Sequence, residues 1–283
     1  MSKDLENRVI ITAALTGAIT PKTLNDSIPI TPEEIAEDAY KCWKAGASIV
    51  HLHMRNENAI GTMDKERFKK TVSLIRAKAD CDIVINCTTS GDPDANDGTR
   101  MAHIREIKEM ELASYDAGTF NWMPSFVFYN GPEFLEKLGI TMKEYNVKPE
   151  VEIFDMGMLN NAKYYLKKGV LNTPMYCQLV MGVGGAMEAT VENLQYLVRH
   201  LPEGTVWSAF GVGSAHLPIM YAALALGGHI RVGLEDNVYY AKGVKATNPQ
   251  LVERAVRIVK EFGKEPASPA EAREILGLKP LVR

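Results

Sequence analysis

Cysteine is scarce and poorly spaced for chemistry: the 283 residues carry four, Cys42, Cys81, Cys87 and Cys177, with no C-x-x-C pair among them. That argues against a thiolate zinc site or a disulfide frame, and the four read as reduced, mostly buried thiols. Charge of one sign is also lacking. The 32 Lys and Arg against 35 Asp and Glu leave a formal net charge of −3, interspersed and without the basic clusters that draw a protein to nucleic acid or anionic lipid. Neither partner is expected. No apolar run is long enough to span a bilayer, and the stretch from Met1 to Arg8 is polar rather than charged-then-apolar, so a cytoplasmic location is expected. No linker rich in Gly, Ser and Pro, no low-complexity tract and no solenoid-length repeat divides the sequence, which reads as one domain over residues 1–283. A glycine-rich phosphate turn after the first strand is missing too: the residues there are Thr16-Gly17-Ala18-Ile19, which argues against an open doubly wound sheet.

What is present is a regular alternation. Short β-branched runs centre on Val9 to Thr12, Ser48 to His53, Asp82 to Asn86, Leu112 to Asp116, Val151 to Phe154, Met175 to Val180, Thr205 to Phe210 and Ile230 to Leu234. Longer amphipathic segments fill the gaps, the pattern of parallel strands with crossover helices. The first helix is marked by Thr31 as N-cap, Pro32 in its first turn, Glu34 closing a capping box and Gly46 just past its end. Another runs near Asn248 to Phe262, and a short one capped by Ser268 and Pro269 closes the chain. Eight βα units and 46% hydrophobic residues fit a single (β/α)8 barrel.

Side chains alternate faces along a strand, so parity separates those pointing into a barrel from those pointing to the helices. On strand two, Ile49, His51 and His53 share the face opposite apolar Val50, Leu52 and Met54. On strand eight, Arg231, Gly233 and Glu235 lie opposite Ile230, Val232 and Leu234, and Asp236 opens the following loop. The same test turns Asn86 and Thr88, Ser114 and Asp116, Glu150 and Glu152, and Gln178 inward. Buried carboxylates, imidazoles and a guanidinium cost several kcal/mol unless paired or metal-bound, and barrel active sites occupy the C-terminal strand ends. A His-x-His on a strand sets two imidazoles about 6–7 Å apart, and a carboxylate at another strand end completes a metal site with open positions. His51, His53 and Glu235 form that triad, which suits Zn2+ and also Fe2+. The remaining histidines, His103, His200, His216 and His229, read as structural.

The segments T-A-A-L-T-G-A, H-L-H-M-R, D-A-G-T-F-N, P-E-V-E-I-F-D and G-G-H-I-R-V-G-L-E-D-N together resemble the β-keto acid cleavage enzymes over nearly the whole chain. The resemblance implies a zinc-dependent barrel, a homotetramer, that takes a β-keto acid and acetyl-CoA to acetoacetate and a new acyl-CoA. By position it makes His51, His53 and Glu235 the zinc ligands, Asp236 the base and Arg231 its charged neighbour. It places substrate-binding hydroxyls at Thr88 and Ser114 and an active-site glutamate at Glu152. Members acting on an amino-substituted keto acid carry an acidic residue where this chain has Ile19. An apolar side chain there does not pair an ammonium group, so a neutral or apolar acyl chain is expected.

Arg231 is expected either to orient Asp236 or to hold the substrate carboxylate bidentately. The turns Gly182-Val183-Gly184-Gly185 and Gly211-Val212-Gly213 offer backbone N–H groups for CoA phosphates, though such turns also simply link strands to helices. A metal-dependent aldolase, a CoA-dependent lyase and a non-catalytic metal- or acyl-binding barrel are the competing readings. An amidohydrolase would need its His-x-His on strand one and histidines on strands five and six, which this chain lacks.

Overall fold

The computed structural model describes residues 5–281. Eight parallel strands close into a barrel: β1 (Ile11–Ala14), β2 (Ile49–Leu52), β3 (Val84–Cys87), β4 (Leu112–Asp116), β5 (Lys148–Ile153), β6 (Tyr176–Met181), β7 (Val206–Gly211) and β8 (His229–Val232). Each pairs with its sequence neighbours, and β8 closes the ring on β1 through Ile230↔Ile11 and Arg231↔Thr12. Helices α1 (Pro32–Ala45), α2 (Lys65–Arg76), α3 (Asp97–Glu106), α4 (Pro132–Glu144), α5 (Met156–Lys167), α6 (Val191–Arg199), α7 (His216–Ala225) and α8 (Asn248–Glu261) follow the strands in turn, and α9 (Pro269–Leu276) comes last. This is a (β/α)8 barrel. No helix among the described residues is long and apolar enough to cross a membrane.

The caps work as the sequence implies. Thr31 and Glu34 form a reciprocal capping box, and Gly46 ends α1 at φ 111°; losing the Thr31 hydroxyl would cost about 1 kcal/mol. Helix α1 buries Ile35, Ala36, Ala39 and Cys42, so its apolar face covers the outside of the barrel. Inside the barrel, Ile10, Ile49, Val84, Leu112 and Tyr176 form an apolar floor that α9 seals with Ala272, Ile275 and Leu276. Above this floor the inward residues turn polar: Thr12, His51, Asn86, Ser114, Glu150, Gln178, Ser208 and Arg231 are all buried. A dry floor and a polar upper half direct the chemistry to the C-terminal rim.

Strand boundaries differ from the expectation in instructive places. The first apolar run is divided: Arg8–Val9 pairs outside the barrel with Glu265–Pro266, and the barrel strand begins at Ile11. The fifth strand starts three residues earlier than Val151, at Lys148, and runs through Pro149. All four cysteines are buried and free.

Candidate metal and active site

Strand β2 carries His51 and ends at Leu52, so His53 stands just beyond it at the rim. Both imidazoles are buried, with ring centroids 5.1 Å apart. Glu235 arrives differently from what alternation implies. Strand β8 ends at Val232 because Gly233, at φ 147°, passes so close to β1 that an added Cβ would stand 1.9 Å from the Ala14 carbonyl oxygen. The chain then turns, with the N–H groups of Asp236 and Asn237 donating to the Gly233 carbonyl, and Glu235 reaches inward from that turn. Its Oε1 lies 3.5 Å from Nε2 of His51 and 3.5 Å from Nε2 of His53.

These three side chains fit a divalent cation. Burial, followed by the Arg231 charge, pushes the His53 imidazole down to about 3 and that of His51 well below its usual range. Both are therefore neutral at physiological pH, the form that ligates a metal. Glu235 adds a carboxylate whose Oε2 is buried without a hydrogen-bond partner. Two imidazoles and one carboxylate form the donor set of a catalytic zinc or non-haem iron site.

Arg231 is the electrostatic centre beside this triad. Its Nε and Nη2 donate to the two oxygens of Asp236, each at 2.8 Å, and Nη2 also donates to Glu235 Oε1 at 2.5 Å. The guanidinium carbon stacks 4.3 Å above the Phe210 ring. In this arrangement Asp236 occupies the bidentate edge of Arg231. Nη1 is the donor without a hydrogen-bond partner, 4.0 Å from Glu152 Oε1. Burial pushes Asp236 up to about 6 against the opposing pull of Arg231. Glu152 is raised well above the carboxylate range, by burial first and by Asp116 next; Asp116 pairs with it in register on β4 and is itself pushed by burial to about 6.

The other expected site residues take distinct positions. Ser114 is buried with an unpartnered hydroxyl. Thr88 is buried as well, but its hydroxyl is engaged locally with the Ser90 backbone. Ile19 lies on the loop after β1 with 57% of its surface exposed. His103 stacks on Phe68 at 4.6 Å, His229 accepts from the Ile10 N–H, and His216 contacts Arg254, so these three have structural partners. His200 caps the end of α6.

Two further residues belong to the site's frame. Arg55 is buried and donates to the carbonyls of Gly17, Thr16 and Ala59, pinning the loop after β1. Gly91, at φ 114°, lets the loop after β3 pass so close to His53 that an added Cβ would stand 2.8 Å from its Nδ1. Arg55 ends the quoted H-L-H-M-R motif and shares the parity of His51 and His53. The glycine turns make close contacts of their own. The Gly182 N–H donates to Met187, Gly184 accepts from Met123, and a Cβ on Gly185 would meet the Asn121 carbonyl oxygen at 1.8 Å. The Gly213 N–H donates to the Asp236 carbonyl.

The family profile described as beta-keto acid cleavage enzyme matches residues 8–278. A 3-keto-5-aminohexanoate cleavage enzyme of Fusobacterium nucleatum is 42% identical over 273 residues, covering 96% of this chain and 98% of that protein. A 3-dehydrocarnitine:acetyl-CoA trimethylamine transferase of Rhizobium meliloti is 34% identical over 299 residues, covering 98% and 99%. Among solved structures, apo ObcA superposes with a TM-score of 0.81 at 22% identity, over 89% of this chain and 66% of that one, which supports the barrel fold alone. Matched by the profile over residues 8–278 and, over 96% of its length, by a relative of 42% identity, the chain belongs to the β-keto acid cleavage enzyme family.

Proposed function

We propose that the protein condenses a β-keto acid with acetyl-CoA to give acetoacetate and a new acyl-CoA, using a zinc ion held by His51, His53 and Glu235. The observation that carries this reading is the convergence of both Nε2 atoms on one Glu235 oxygen, beside the Arg231–Asp236 pair, in a chain of this family. When bound, the ion supplies Lewis-acid polarisation of the substrate's keto oxygen. Asp236 acts as general base on the carbon between the keto and carboxylate groups. Arg231 holds both of its oxygens and so aims it, while each keeps a further lone pair for the proton. Ser114, whose hydroxyl is unpartnered, and Thr88, once released from the Ser90 carbonyl, offer hydroxyls to the substrate, and Glu152 lines the facing wall. The resulting carbanion attacks the acetyl carbonyl and displaces the CoA thiolate. The thiolate adds to the original keto carbon, and the old carbon–carbon bond breaks with its electron pair left on the carbon next to the carboxylate, which takes the proton back from Asp236 to give acetoacetate beside the new acyl-CoA.

Ile19 sets the substrate class apart from the amino acid chain in the name of the Fusobacterium relative. With no carboxylate at that position to pair an ammonium group, the acyl chain is neutral or apolar. Two measurements test the proposal. A panel of β-keto acids, given with acetyl-CoA to the zinc-replete protein, should yield acetoacetate from at least one neutral member; none from any would refute the reaction. Asp236→Asn should keep fold and zinc content while losing turnover, and near-normal activity would remove Asp236 as the base.

A further inference from the structure

His51 turns its two ring nitrogens toward two different carboxylates. Nε2 faces Glu235, while Nδ1 has Glu150 Oε1 at 3.8 Å and no hydrogen-bond partner. Glu150 is fully buried and is held by Asn86, whose Nδ2 donates to the same Oε1 at 2.6 Å. Strand register builds this arrangement: His51 sits opposite Asn86 on β3, and Glu150 on β5 sits opposite Ser114 on β4. All four point into the same interior layer.

We propose that Glu150 is a positioning residue for the metal ligand His51, an inference that rests on the metal assignment above. Its carboxylate takes the Nδ1–H of His51, which fixes the tautomer, leaves the Nε2 lone pair for the ion and raises the basicity of the imidazole. Asn86 in turn fixes Glu150. The present separation of 3.8 Å is about 1 Å longer than an N–H···O bond, so the proposal requires the two side chains to draw together when the site is filled. The same atoms also meet a different criterion: His51, Glu150 and Glu152 offer ligand atoms within 4.8 Å of one another. A second ion there would require both nitrogens of His51 as ligands at once. Arg231 Nη1 already stands 4.0 Å from Glu152 Oε1, so a cation occupies that neighbourhood. One ion and one orienting carboxylate is the arrangement these groups favour.

The test is zinc affinity, measured by chelator competition on the full chain, for wild type, Glu150→Gln, Glu150→Ala and Asn86→Ala. Wild type should bind one ion per chain. Glu150→Ala should weaken binding about 10–100-fold, with Glu150→Gln and Asn86→Ala falling between. Because Glu150 is buried and its variants are prone to misfold, nitrogen-15 spectra of the histidines in zinc-loaded wild type give an independent readout: His51 should carry its proton on Nδ1. Wild type with one ion, together with Glu150 variants within about twofold of it, would overturn the role of Glu150 and leave the metal assignment standing. A proton on Nε2, or two ions per chain, would also overturn it. No zinc bound by wild type would remove the metal assignment, and this inference with it.

Discussion

Replacing Arg231 with methionine removes a buried guanidinium while keeping an apolar stem against Phe210. In the native chain that guanidinium makes two bonds of 2.8 Å to Asp236 and one of 2.5 Å to Glu235, with Glu152 4.0 Å from Nη1. The variant leaves these carboxylates buried without their counter-charge, a defect that costs about 3–5 kcal/mol when one partner of a buried pair is lost. The loss should depend on pH. Burial already pushes Asp236 up to about 6 and Glu150 up to about 7 in the presence of Arg231, and without it both rise further. The folded variant then binds more protons than its unfolded chain, so its stability falls as pH rises through that range and recovers at acid pH. Urea denaturation of metal-free wild type and variant at pH 5 and pH 8 measures this directly. The predicted deficit is full at pH 8 and smaller at pH 5. A loss below about 1 kcal/mol at pH 8, the size of an exposed ion pair, or an equal loss at both values, would refute the reasoning.

Three further outcomes follow from the same geometry. His51→Ala combined with His53→Ala should abolish stoichiometric zinc binding, and zinc retained at one per chain would contradict the ligand assignment. Gly233→Ala places a Cβ 1.9 Å from the Ala14 carbonyl oxygen at φ 147°, so a loss of about 3 kcal/mol and weaker zinc binding are expected; an unchanged melting temperature would contradict it. Burial raises Asp38 from 3.8 to about 6, even though Asn248 donates to it. The folded value lies above the unfolded one, so native stability falls as pH rises from about 4 to about 6. Asp38→Asn should therefore be more stable than wild type by about 2 kcal/mol at pH 8, after allowance for partial exposure, with no advantage at pH 4. Melting curves at the two pH values decide it.

Much of this could be read in the sequence because barrel strands alternate strictly. The strand from Leu112 to Asp116 matches its expected bounds, and parity alone brings His51 and His53 to one face. Glu235 faces both imidazoles but enters from a turn, and the close approach of Gly233 to β1 is a tertiary constraint that alternation does not register. Strand one is uniformly apolar from Val9 to Ile11, so its pattern gave no point of division between the outer pair and the barrel. Pro149 concealed the start of β5, because proline inside a run usually ends a strand. Arg55 has no acidic partner to announce it; two of its acceptors are carbonyls of Thr16 and Gly17, 39 and 38 residues away in sequence. Gly91 acts through the space it leaves beside His53, a role that only the assembled site reveals.

In the proposed reaction the acetyl carbonyl of acetyl-CoA becomes the keto carbon of acetoacetate. Acetyl-CoA labelled with carbon-13 at the carbonyl, supplied with an unlabelled neutral β-keto acid and the zinc-replete protein, tests it most directly by carbon NMR of the products. Label is expected at the keto carbon of acetoacetate and none in the new acyl-CoA. Label in the acyl-CoA product, or acetoacetate without label, would contradict it.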